Sequence, residues 1–267
     1  MNNVFDLQRF GNYFLYDLRR AKNNYAVSLL VIGLLPIALY IITQFFSLVT
    51  GNGLTELSDI PKFVAVFAGI VAVMMSAGAK IYGSITEKRS GSDYLLLPAS
   101  TLEKWLSMIL IVCVVLPVLL FVLLTLSDGI MSLLLPNSYG DRVLSLDFAR
   151  GALDAVMDKE GFYVNLPAIM FLNWCETLLI FTLGAVCFKK SKVAKTLLCL
   201  LAFSMVISPL MLLCFGRTNI DADWVAEHFS EPSQAIASIN WALSIIYTLV
   251  IGGLLAGLYF RLRTLKH

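Results

Sequence analysis

Three groups of residues are candidates for chemistry. The first is Asn173-Trp174-Cys175-Glu176-Thr177, which sets a carboxyl group and an amide inside a long apolar run. An acid at the centre of a membrane helix costs about 2.5–3.5 kcal/mol on insertion scales, so Glu176 is expected to face a bundle interior, a wet cavity or a partner. Two roles stay open for it: a polar contact in a substrate or gating path, or a tie between helices through Gln44, Ser244 or Tyr247. The second group is the five cysteines, Cys113, Cys175, Cys187, Cys199 and Cys214. All fall in apolar runs with no C-x-x-C pair and no His at ligand spacing, which reads as small buried apolar residues rather than a metal site. The third is Glu87-Lys88-Arg89-Ser90-Gly91-Ser92-Asp93-Tyr94-Leu95-Leu96-Leu97-Pro98-Ala99-Ser100. Gly91 permits a turn, Leu95–Leu97 supply apolar surface, Pro98 ends any preceding helix, and Ser100-Thr101-Leu102-Glu103 is a capping box opening the next one. On these residues alone, the stretch is equally a well-capped connector with no partner.

The motifs of common enzymes are missing. There is no G-x-x-x-x-G-K-[ST] phosphate loop, no H-E-x-x-H and no G-x-S-x-G, so ATP hydrolysis by that loop, zinc-dependent hydrolysis and serine-hydrolase chemistry are not expected of this chain. His228 and His267 lack a neighbouring His, Cys or paired carboxylate and read as solvated. No enzyme activity, bound cofactor or metal is therefore expected in the chain itself.

The elements that must hold these groups follow from composition. Of 267 residues, 58% are hydrophobic and 14% charged, and the mean hydropathy is +0.81, more apolar surface than one water-soluble core can hide. A net charge of +2 gives no broad basic field for nucleic acid. The expected fold is all-α, a polytopic membrane protein with six transmembrane helices plus an N-terminal interfacial helix. The spans run approximately Tyr25–Val49, Lys62–Ile81, Leu102–Leu126, Leu166–Phe188, Thr196–Phe215 and Ile239–Phe260. Residues 1–24 form the interfacial helix and 25–267 the membrane domain. Pro36, Pro117 and Pro209 lie inside three spans and are expected to kink them. With its charged residues, the N-terminal stretch is not expected to act as a secretory signal.

Counting Lys and Arg on alternate sides gives fifteen against five, the five standing beside twelve acids from Glu56 to Glu231. The richer side is read as the cytoplasm, which places both termini inside. Ahead of the first span, Leu7, Phe10, Phe14 and Leu18 recur at helical spacing while Asp6, Arg9, Asp17 and Arg20 fall elsewhere, as in a helix lying in the headgroup layer. The long loop from Ser127 to Asn165 carries Leu146, Ala149, Leu153, Val156 and Met157 in an amphipathic pattern, and a smaller version surrounds Asp223–Phe229. Each is either a surface cap or a solvated connector. Small residues at Ala65, Gly69, Ala72 and Ser76, and at Gly253 and Gly257, mark close helix packing.

At Glu87, Lys88, Gly91, Ser92, Leu95, Leu96, Pro98 and Ser100 the chain resembles the membrane subunits of type-2 ATP-binding-cassette exporters. Their stretch between the second and third spans reads Glu-[Lys/Arg]-x-x-Gly-[Thr/Ser], then Leu-Leu, Pro and Ser. In this chain Pro98 follows Gly91 more closely, and the acid between them stands at Asp93. The resemblance implies a permease half in the cytoplasmic membrane, paired with a second permease subunit in a homo- or heterodimer. Separate ATPase subunits would bind the ATP and Mg. Glu87, Lys88, Arg89, Gly91, Tyr94, Leu95, Leu96, Pro98, Ser100 and Glu103 would form the coupling contact, with Tyr94, Leu95 and Leu96 as its apolar anchor. The alternative is a non-transporting scaffold or regulatory subunit that docks a cytoplasmic partner through the same loop.

Overall fold

Asp6 starts the first helix by accepting the Gln8 and Arg9 backbone N–H groups on its carboxylate, at 2.9 and 3.3 Å, an N-cap that satisfies donors a helix start leaves free. The structure, a computed structural model, describes residues 5–51, 53, 56–87, 91, 94, 96–140, 142, 144, 166–215 and 232–264, with side chains described outside 166–170, 211–215 and 232–240. Helix α1 spans Leu7–Gly33 and α2 spans Leu35–Val49. They meet at a 43° bend. The bend sits at Leu34, just ahead of Pro36, because proline cannot supply the N–H that would continue the ladder. Helix α1 runs without a break across the expected boundary between residues 24 and 25.

Helix α3 spans Asp59–Tyr82 and runs into a 3₁₀ turn at Gly83–Thr86. After the capping box come α4 (Thr101–Leu110), a π-helical turn (Ile111–Val115) and α5 (Leu116–Leu134), then the short α6 (Pro136–Tyr139). The π turn lies directly before Pro117, whose missing N–H and ring disfavour the ordinary bond to Cys113 four residues back. Helix α5 thus reaches Leu134, eight residues beyond the expected end of the third span at Leu126. The following loop accordingly begins later than Ser127. Helices α7 (Leu166–Cys187), α8 (Lys192–Phe215) and α9 (Pro232–Thr264) complete the chain. Among the described residues there is no strand.

Among the described residues, four helices are long and apolar enough to cross a membrane, five if the bent α1–α2 pair is one crossing. This fits a multi-pass membrane protein. Helix α7 lies at the centre, against α3, α8 and α9, while α1 packs on α3, α4 and α5. The tightest approach is α3 on α7: a Cβ placed on Gly78 would stand 2.8 Å from the Thr182 Cα, so only glycine lets the backbones meet there. Gly69 packs against Ile32 and Leu35 as the small-residue pattern suggests, whereas a Cβ placed on Gly253 would meet nothing within 4 Å among the described residues and one on Gly257 would only graze Leu183. Helices α8 and α9 turn large apolar side chains outward, among them Leu198, Phe203, Met205, Trp241 and Leu249.

Candidate functional site

The deepest stripe of α1 is Tyr13, Asp17, Ala21, Tyr25, Leu29 and Gly33, a repeat of four. It lies beside, rather than on, the Leu7–Phe10–Phe14–Leu18 face. Leu7 is exposed, and Phe10, Phe14 and Leu18 are half-buried. Asp17 therefore points inward and is 1% exposed. Its Oδ2 accepts the Tyr82 hydroxyl at 2.9 Å and the Ser107 hydroxyl at 2.7 Å, so one carboxylate joins α1, α3 and α4. Its Oδ1 has no hydrogen-bond partner among the described residues. Asp17 precedes the apolar stretch that starts at Tyr25. Burial raises its carboxyl above the ordinary range, against the opposing pull of the Ser107 and Tyr82 hydroxyls and of Arg20.

Around this point the Glu87–Glu103 segment is fastened to the chain's own helices. Ser100 and Glu103 form the expected capping box: the Ser100 hydroxyl accepts the Glu103 N–H at 3.3 Å, and Glu103 Oε2 accepts the Ser100 N–H at 2.8 Å. Glu103 does more than cap. It is fully buried and also accepts the Asp6 N–H at 3.0 Å, Arg9 Nε at 2.9 Å and Arg9 Nη2 at 2.7 Å, a charge-assisted fork from a residue 94 positions away. Lys104, also buried, donates to the Tyr94 carbonyl at 2.7 Å and lies 4.8 Å over that tyrosine's ring. Arg20 donates to the Ser84 hydroxyl at 2.7 Å and stands 5.9 Å from the Tyr94 ring centroid.

The residues singled out in this segment thus divide. Tyr94 is 3% exposed and Glu103 fully buried, so Tyr94 belongs to the core rather than to an outward anchor. Gly91 is buried and its N–H donates to the Glu87 carbonyl at 2.8 Å. Leu96 is 81% exposed and Pro98 is exposed. Glu87 reaches Lys192 at 3.6 Å, and Lys192 also donates to the Gly83 carbonyl, so the start of α8 joins the same end. Lys88, Arg89, Ser92 and Leu95 lie outside the described residues. An opening of about 460 Å³ lies between Arg9, Asn12 and Tyr13 of α1 and the Leu97–Ala99 stretch.

Glu176 is half-buried on α7 and makes no hydrogen bond or ion pair to another described residue; Gln44, Ser244 and Tyr247 are not its partners. Asn173 is the residue that reaches Tyr247, through a long 3.5 Å contact from Nδ2 to the hydroxyl. Cys113 and Cys175 are half-buried free thiols, whereas Cys187 and Cys199 are exposed rather than buried. His228, His267 and both amphipathic loop patterns lie outside the described residues.

A second polar group closes the opposite end. Lys62 is 1% exposed, pairs with Asp59 at 2.9 Å and lies 4.7 Å over the Tyr139 ring. The Tyr139 hydroxyl donates to Asp128 Oδ1 at 2.6 Å, and the Leu144 N–H donates to Oδ2 at 3.1 Å. Counted in the sequence as loop charges, Lys62 and Asp128 are interior struts. Sequence reasoning likewise set Asp17 and Arg9 on the polar side of an interfacial helix and counted Lys104 as a cytoplasmic charge, giving none of them a buried contact. The one signal for Asp17 was its place four residues from Tyr13 and Ala21. No protein-family model, curated protein or solved structure matches this chain.

Proposed function

We propose that the chain is the permease subunit of an ATP-binding-cassette exporter, crossing the cytoplasmic membrane six times with both termini inside. It pairs with a second membrane subunit and with separate ATPase subunits that bind the ATP and Mg. The six crossings are the bent α1–α2 pair, α3, α4–α5, α7, α8 and α9. Helix α7 has 22 residues, a length of about 33 Å against a hydrocarbon core of about 30 Å. Sidedness rests on the uneven Lys and Arg count.

The observation that carries the reading is the two-sided build of the segment after α3. Tyr94 and Ala99 are held inside, while Leu96 between them is 81% exposed. A rigidly mounted apolar tip with a charged approach through Glu87 is the form of a docking contact, with a small anchor and a polar rim. Alternating exposure of a path between two membrane halves would then follow ATPase closure through this tip.

The test is purification of the full chain from its own membrane with any associated ATPase, followed by measurement of ATP turnover. Leu96→Asp is expected to leave insertion and melting unchanged and to weaken ATPase association at least tenfold, the loss of one buried leucine contact. Ser100→Ala is expected to lower stability by about 0.5–2 kcal/mol while keeping the ATPase. Full stimulation with Leu96→Asp, or no ATPase with the wild type, replaces this reading with the scaffold one.

A further inference from the structure

A groove of about 390 Å³ runs between α1 and the π turn that joins α4 to α5. Ala26 and Leu29 line one wall, and Ile111 and Val115, the two ends of the π turn, line the other. A π turn carries an extra residue per turn and so shifts the helix face beyond it. On the α1 side Ala21 and Ala26 leave space that larger side chains would fill. Leu119 in its lining is exposed, as are Val27, Leu30 and Val118, each next in sequence to a lining residue, so the groove opens sideways onto apolar surface. Its mouth is different: Arg19 and Lys22 stand there, both exposed.

Neither cation has an acid or hydrogen-bond partner among the described residues. Their neighbours are committed elsewhere. Arg20 turns away to Ser84, Lys80 donates to Ser28, and the nearby acid Asp17 faces inward to Tyr82 and Ser107. Arg19 and Lys22 also sit within two turns of Tyr25, where the apolar stretch begins, which is headgroup depth for a crossing helix. We infer that this groove holds one anionic glycerophospholipid, an acyl chain between α1 and the π turn and the headgroup phosphate against Arg19 and Lys22. The sideways opening selects a bilayer lipid over a peptide, and two unpaired cations at the mouth select an anionic headgroup.

The experiment uses the full chain in detergent, equilibrated with micelles holding equal phosphatidylglycerol and phosphatidylcholine, with retained lipid measured by mass spectrometry. No ATPase is present, so the outcome is independent of the transport reading. The wild type is expected to favour phosphatidylglycerol. Arg19→Gln and Lys22→Gln should each lower that preference about fivefold, and about thirtyfold together. The exchange Arg19→Lys with Lys22→Arg should preserve it. Ala26→Phe, which fills the groove, should reduce retention of both lipids. Millimolar inorganic phosphate should displace neither. An unchanged lipid ratio in the double glutamine variant, with melting equal to wild type, overturns the assignment. So does normal retention in Ala26→Phe, and displacement by free phosphate would mark an anion site without a lipid.

Discussion

Replacing Asp17 tests whether the polar junction of α1, α3 and α4 is held by hydrogen bonding or by charge. Asp17→Leu removes the acceptor of two hydroxyl groups that have no route to water, since Tyr82 and Ser107 are both fully buried. Each stranded donor costs about 1–3 kcal/mol, and the packing of a leucine recovers part of it, so a net loss of about 2–4 kcal/mol is expected. Asp17→Asn keeps one oxygen where both hydroxyls point and should stay within about 1 kcal/mol of wild type at neutral pH. The two also differ from wild type in pH dependence. Burial raises the native Asp17 carboxyl above its unfolded value, so the folded chain binds more protons between the two values. The stability this provides is complete below the unfolded pKa and is lost as pH rises through the native one. Unfolding in fixed mixed micelles, followed by tryptophan fluorescence from acid to neutral pH, reads both effects. The wild type should lose stability over that window relative to Asp17→Asn. Equal stability of the Leu and Asn variants, or parallel pH curves for wild type and Asn, would refute the reasoning.

The glycine contacts make an opposed pair. Gly78→Ala forces a Cβ to within 2.8 Å of the Thr182 Cα and should cost about 1–3 kcal/mol, whereas Gly253→Ala enters open space and should be neutral or stabilising by up to about 1 kcal/mol; comparative melting in one detergent checks both. For topology, single cysteines in a cysteine-free background are treated with an impermeant thiol reagent on intact cells. Asn137→Cys, on the exposed side of α6 next to buried Tyr139, should label from outside, and exposed Lys190→Cys should not.

What could be read from the sequence depended on the distance over which each interaction acts. The Ser100–Glu103 box closes within one helical turn, and its residue types identify it without tertiary knowledge. Pro36 and Pro117 located the bend and the π turn for the same reason: the lost donor acts on the preceding turn. Asp17 was set on the polar side of α1 because an acid at the start of a membrane protein is ordinarily solvated. Only Tyr82 and Ser107, 65 and 90 residues away, make its burial tolerable. Tyr94 was assigned to an outward anchor because aromatic residues beside Leu-Leu favour interfaces. The Lys104 ammonium on its carbonyl and ring instead holds it inside.

These attachments bear on how the exporter reading would work. A docking tip can pass on a displacement only if its base is stiffer than its contact, and the base here has two mountings. Lys104 holds Tyr94 to α4, and Glu103 holds the start of α4 to Arg9 on α1. Helix α1 then runs unbroken for 27 residues, about 40 Å at 1.5 Å per residue, to the bend at Leu34. On this reading α1 is the lever and the Arg9–Glu103 fork its attachment. Arg9→Ala should therefore leave an ATPase bound through Leu96 but lower its stimulation, although Arg9 lies outside the tip. Arg9→Lys should restore part of the effect, since a point charge replaces the two-toothed fork with a single contact. Turnover and co-purification measured on the same samples separate the steps. Full stimulation in Arg9→Ala with the chain folded would show that α1 is not in the path. Loss of the ATPase itself would place Arg9 in the docking surface.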